Sequence, residues 1–145
     1  MSAKKYQAAF RQVIEEAFNK GNYTVLPEIF TPTFIEHQFG LHPTVEGLQS
    51  DIQFLRKAFP DLTLTIEDLV VDGDKLWARA TARGTNRGGF MGPPNGKSFQ
   101  ITVFDMVRFE DDKIVEHWGS PDRFALLAQL GVLPKPTSTA TAANS

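Results

Sequence analysis

The spacing of apolar residues is mainly helical before Pro60 and mainly alternating after it, and that change limits the folds open to this chain. Before Pro60, Tyr6, Ala9, Phe10, Val13, Ile14, Ala17 and Phe18 recur at intervals of three and four, as on one buried helical face. Gly21 stands where a left-handed residue would end that helix. Val25, Leu26, Ile29 and Phe30 repeat the pattern over a shorter span that Thr24 can cap, with Pro27 tolerated in its first turn. The stretch from Phe34 to Phe39 is extended in character and puts Ile35, His37 and Phe39 on one side. Leu48, Ile52, Leu55 and Phe59 then define a third helix, closed by Pro60.

From Leu62 the period is two. Leu62, Leu64 and Ile66 alternate with threonines, and Leu69 to Val71 resume on shifted parity, which predicts a bulge near Glu67 and Asp68. Asp72, Gly73 and Asp74 make a tight turn into a strand from Lys75 to about Thr85, with Leu76, Ala78, Ala80 and Ala82 on one face. Asn86 to Lys97 is a Gly/Pro-rich loop and a candidate lid or pocket rim. The next strand, Ser98 to Glu110, presents Phe99, Ile101, Val103, Val107 and Phe109 on one face, and Asp105 breaks that apolar row. Lys113 to Ser120 forms the last strand, and Phe124, Leu127 and Leu130 a short final helix ended by Gly131.

Helices first and hairpin-linked strands after them imply an α+β domain in which a curved antiparallel sheet closes over helices on one side, leaving a cone suited to an apolar ligand. One domain over residues 1–134 is expected, with residues 135–145 a flexible Thr/Ala tail. The sequence has no cysteine, which removes disulfides, thiolate nucleophiles and sulfur-ligated zinc. Fifteen basic residues are scattered among seventeen acidic ones, so no face is suited to nucleic acid. Met1 to Lys5 carries no apolar signal segment and no run is long enough to span a bilayer, so a cytoplasmic protein without membrane contact is the expectation.

The residues able to carry chemistry are few. The glycines between Gly88 and Gly96 have the wrong spacing for a phosphate site and join two strands. His37, His42 and His117 show no paired metal-ligand spacing, and no serine lies in a nucleophile elbow, so neither a metal nor an acyl-enzyme is expected. His37, Asp105, His117 and Asp122 remain, with Arg79 and Arg83 as partners; such groups in an apolar cone are where desolvation tunes a pKa. Each has a plainer reading too. Asp122 N-caps the final helix, Asp105 pairs with Arg79 or Arg83, and His37 is a satisfied imidazole beside Ile35 and Phe39. Strand parity allows only one of His117 and Trp118 to face the pocket, and the other is a surface or interface residue.

The runs Ala58-Phe59-Pro60-Asp61-Leu62, Ile66-Glu67-Asp68, Arg83-Gly84-Thr85, Lys113-Ile114-Val115-Glu116-His117-Trp118, Asp122 and Gln129-Leu130-Gly131, in this order, resemble the SnoaL-like polyketide cyclases of the NTF2-like superfamily. The similarity spans nearly the whole chain apart from the tail. It implies an NTF2-like cone, a homodimer or homotetramer, and Asp122 as acid/base in an intramolecular aldol ring closure on a small apolar carbonyl compound, without cofactor. A desolvated carboxylate can take a proton from carbon next to carbonyls and return it to the new alkoxide. His117, or Trp118 through its indole, would hold the enolate oxygen, and His37, Asp105, Phe39 and Phe104 complete the expected substrate-binding set. Two alternatives stand beside this. One is epoxide opening by an Asp105, Arg79 or Arg83, and Asp122 arrangement. The other is a non-catalytic small-molecule binding module.

Overall fold

The computed structural model describes residues 3–133, so the flexible tail expected at 135–145 lies outside the described residues. Helix α1, Ala3–Gln12, continues as a wider π-helical segment, Val13–Phe18, and Gly21 at φ +72° ends the run. A 3₁₀ turn, Tyr23–Val25, leads into α2, Leu26–Ile29. The expected capping residue is corrected here: Asn22, not Thr24, caps, and its side chain accepts the Thr24 N–H at 3.3 Å. Strand β1, Phe30–Glu36, precedes α3, Val45–Ala58, which Thr44 caps by accepting the Gly47 N–H.

The remaining strands are β2, Thr63–Asp72; β3, Lys75–Thr85; β4, Ser98–Glu110; and β5, Lys113–Pro121, followed by α4, Arg123–Leu130. Their order in the sheet is β1-β5-β4-β3-β2. The bulge expected near Glu67 is present as a register shift between Ile66 and Asp68. Four strands run antiparallel as hairpins, but β1 joins β5 in parallel, so the sheet is mixed and not wholly antiparallel. Hairpin turns can join only antiparallel neighbours; β1 reaches its place because α3 and three further strands intervene before β5 forms.

The helices cover one face. Phe10, Ile14, Leu26 and Ile52 pack with Leu76, Ala78, Val107 and Ile114 in one core cluster, and Tyr6 stacks on Phe109 with ring centroids 4.0 Å apart. A second cluster joins Phe59, Phe90, Phe99, Leu126 and Leu130, which fastens the 86–97 loop and α4 to the end of the sheet. Asn86, wholly buried, holds the loop by accepting the Gly89 N–H on its side chain and the Gly96 N–H on its backbone.

Candidate active site

A cavity of about 350 Å³ lies between the helices and the inner sheet face, near the lower end of what encloses a small organic ligand. Phe10, Ile14, Ile52, Phe59, Ile101 and Val107 give it apolar walls. Phe39 and Phe54, 92% and 58% exposed, mark its mouth. Phe90 carries the Gly-rich loop into the lining, as a rim segment should.

A cluster of polar groups interrupts these walls on the sheet side. His117 on β5 sits between two carboxylates: Nδ1 is 2.7 Å from Glu36 Oε1 and Nε2 is 2.8 Å from Asp105 Oδ1. The strand register produces this. Glu36 of β1 pairs with His117, and on the other side His117 pairs with Val107, two residues beyond Asp105 on the same inward face of β4. The side chains of His117, Glu36 and Asp105 are 14%, 3% and 13% exposed. Burial pushes the His117 pKa down, but the hydrogen bonds to Asp105 and Glu36, aided by their charges, outweigh it and push it up to about 9. His117 is therefore an imidazolium at neutral pH, donating from both nitrogens. A ring so committed has no lone pair for a metal ion, and among the described residues no group of three or more His, Asp or Glu is arranged to hold one.

Of the residues expected at the site, His117, Asp105 and Phe39 line this cavity. The placement of three others is corrected. His37, Trp118 and Phe104 lie on the opposite face, along a shallow groove with Val70, Trp77 and Met106. There His37 stacks on Trp118 at 4.2 Å and bonds to Glu116 at 2.7 Å. Strand alternation is the reason, because each follows or precedes an inward residue. The pairing of Asp105 with Arg79 or Arg83 is also corrected: Arg79 bonds to Asp68, and Arg83 to Gln100 and Thr65, all on the outer face. The aspartate, arginine and aspartate arrangement needed for epoxide opening is thus not assembled.

Asp122 is exposed and caps α4, with Oδ1 accepting the Ala125 N–H at 3.1 Å. Its neighbours Pro121 and Arg123 line the cavity, which puts Asp122 at the rim. Glu36 and Gln38 were missed from sequence. Phe34 is buried, so parity along β1 carries the signal that Glu36 faces inward.

A layer of helices on a five-stranded mixed sheet, with a pocket between them, defines an α+β fold of the NTF2-like kind. The family model for SnoaL-like polyketide cyclases matches residues 8–130, and the chain belongs to that family. Among solved structures it is similar to TsrD from Streptomyces laurentii, at 30% identity over 92% of this chain and 99% of that one, TM-score 0.84. It is also similar to IdmH from Streptomyces antibioticus, at 38% identity over 88% and 99% of the two chains, TM-score 0.77. A SnoaL-like polyketide cyclase from Agrobacterium tumefaciens shares 25% identity over 87% and 98%, TM-score 0.72. No curated protein matches. No helix among the described residues is long and apolar enough to cross a membrane.

Proposed function

We propose that the chain is a cofactor-independent cyclase or isomerase of a small, apolar, polyketide-like carbonyl compound, and that Asp105, backed by His117, carries the proton. The observation behind this reading is the carboxylate, imidazolium and carboxylate cluster set into a mostly apolar cavity wall. Asp105 Oδ1 is taken up by His117, while Oδ2 has no hydrogen bond from any described residue. That oxygen takes a proton from carbon next to the substrate carbonyl. The resulting enolate carbon attacks a second carbonyl of the same molecule, one C–C bond forms, and the proton passes from Asp105 to the new alkoxide. Substrate and product are isomers, so no oxidant or reductant is consumed.

Asp122 is the rival carrier, favoured by its place between two lining residues and by its second oxygen, which is not hydrogen-bonded to any described residue. Parallel assays of Asp105→Asn and Asp122→Asn against a panel of polyketide-like diketones, read by mass-neutral product formation, separate them. Loss of turnover in Asp105→Asn alone supports the first assignment. Loss in Asp122→Asn alone assigns the chemistry to the helix cap.

The outer sheet face supports assembly as a homodimer. Val70, Trp77, Met106 and Trp118 follow one another across four paired strands, and Ile35, Val70, Trp77 and Phe104 are between 42% and 59% exposed. A continuous apolar row of this kind is suited to the same face of a second copy.

A further inference from the structure

Gln38 stands beside the cluster with an uncommitted amide. Its main chain is fixed at both ends: the N–H donates to Glu36 Oε1 at 2.9 Å, and the carbonyl accepts the Leu41 N–H at 3.3 Å. The side chain lines the cavity, yet no hydrogen bond joins its amide to any described residue. Gly119, paired with Asp105 across β4 and β5, is what admits it. A Cβ at Gly119 would overlap the Gln38 Oε1 atom and stand 2.9 Å from Asp105 Oδ1 and from Gln38 Cδ. Gly119 is not among the glycines with positive φ, so its backbone is open to other residues. The glycine is needed there for space alone. With oxygen and carbon the nearer atoms, the amide NH₂ is the end farther from Gly119.

Counting donors at this wall sets the ligand's chemistry. Both His117 N–H groups are spent on Glu36 and Asp105. Those carboxylates can only accept, and with the imidazolium between them the cluster carries one net negative charge. Asp51, also in the lining, is engaged by His42 through its N–H and its ring. Arg123 is exposed at the start of α4, at the mouth. Among the described side chains beside the cluster, therefore, only the Gln38 amide can donate to a ligand oxygen.

We propose that Gln38, given room by Gly119, is the donor that holds the ligand's carbonyl oxygen, and that the cavity accepts neutral carbonyl compounds and rejects carboxylates. This rests on the cavity being the ligand site and specifies that site's substrate class. Ground-state carbonyl and developing enolate oxygen occupy the same place, so the amide serves both binding and the proton transfer at Asp105. The negative cluster repels an anionic head group, whereas a hydroxyl can donate to the free carboxylate oxygens without help from Gln38.

Three probes with one apolar frame test it by calorimetry on the full chain: 2-acetonaphthone, 2-naphthol and 2-naphthoate. The wild type is expected to bind acetonaphthone and naphthol about tenfold more tightly than naphthoate, as one unmatched polar contact would give. Gln38→Leu and Gly119→Ala should each weaken acetonaphthone by about tenfold while leaving naphthol within about twofold. Gln38 is half-buried at the cavity edge, so Gln38→Leu keeps the test valid if Gly119→Ala disturbs the strand. Unchanged acetonaphthone affinity in Gln38→Leu overturns the assignment of Gln38, and equal affinity for naphthoate overturns the charge selection. If none of the three binds the wild type, the ligand-cavity reading falls with them.

Discussion

The imidazolium at His117 gives the fold a pH dependence whose sign and size follow from its surroundings. In the unfolded chain the group titrates at its ordinary value of 6.5, and in the folded protein at about 9. Below pH 6.5 both states hold the proton, and the stabilisation from the two flanking carboxylates is complete. As the pH rises only the folded state keeps it, and the contribution declines until it is lost above about 9. The difference between these limits is about 3 kcal/mol, a large share of a small domain's stability. The measurement is urea unfolding followed by tryptophan fluorescence from about pH 6 to about pH 10, on the wild type and on His117→Asn. Other groups titrate in both proteins and cancel in the difference. The stability gap should shrink by about 3 kcal/mol across that range, with its midpoint between 6.5 and 9. A gap that stays constant, or widens with pH, would refute the doubly bonded imidazolium. Nitrogen NMR of the ring gives an independent reading, with both nitrogens protonated at neutral pH.

Asp122→Asn should leave the melting temperature near that of the wild type, while Asp122→Ala should lose about 1 kcal/mol, because Asn replaces the capping oxygen and Ala does not. Equal losses in both variants would mean that the charge, not the cap, holds α4. Trp77→Lys places a cation in the middle of the exposed apolar row and should weaken self-association by about tenfold or more, seen by light scattering on a sizing column. A wild type that runs as a monomer, or a variant that keeps the dimer, removes the outer face as an interface.

Much of the architecture was legible because the helical and strand periods are clean and each is tied to burial on one side. The parity shift at Ile66 and Asp68 and the break at Asp105 were both visible, and the second of these turned out to be the cavity's polar wall. The inner face of β1 is harder to read. Ile35 is apolar and shares a side with His37, which makes that side look like the pocket side, yet Ile35 is half-exposed and Phe34 is the buried neighbour. Alternation reports the inner face only when the outer one is polar. Here the outer face also carries Val70, Trp77, Phe104 and Trp118, so hydrophobicity could not choose between two parities. The same ambiguity misplaced Trp118 and Phe104 and concealed Glu36 and Gln38.

The parallel edge strand is the part of the fold that no local pattern announces, and the site depends on it. A sheet of hairpins alone would give His117 the single carboxylate of Asp105 and leave Nδ1 unpaired in an apolar wall, where burial would push the ring toward neutrality. Strand β1 supplies the second carboxylate, and its register is irregular: Phe30 pairs with Ile114, yet Ile35 pairs with Glu116, so β1 has three residues more than β5 between these points. The Thr31 hydroxyl and the Thr33–Thr44 bridge secure that extra length, Thr31 Oγ1 donating to the carbonyls of Thr33 and Ile114. Were β1 to slip by one residue, Ile35 or His37 would replace Glu36 beside the imidazole. Neither can accept from a protonated ring as a carboxylate does. The raised pKa of His117, the negative charge of the cluster and the exclusion of anionic ligands thus all trace to the irregular pairing of one edge strand.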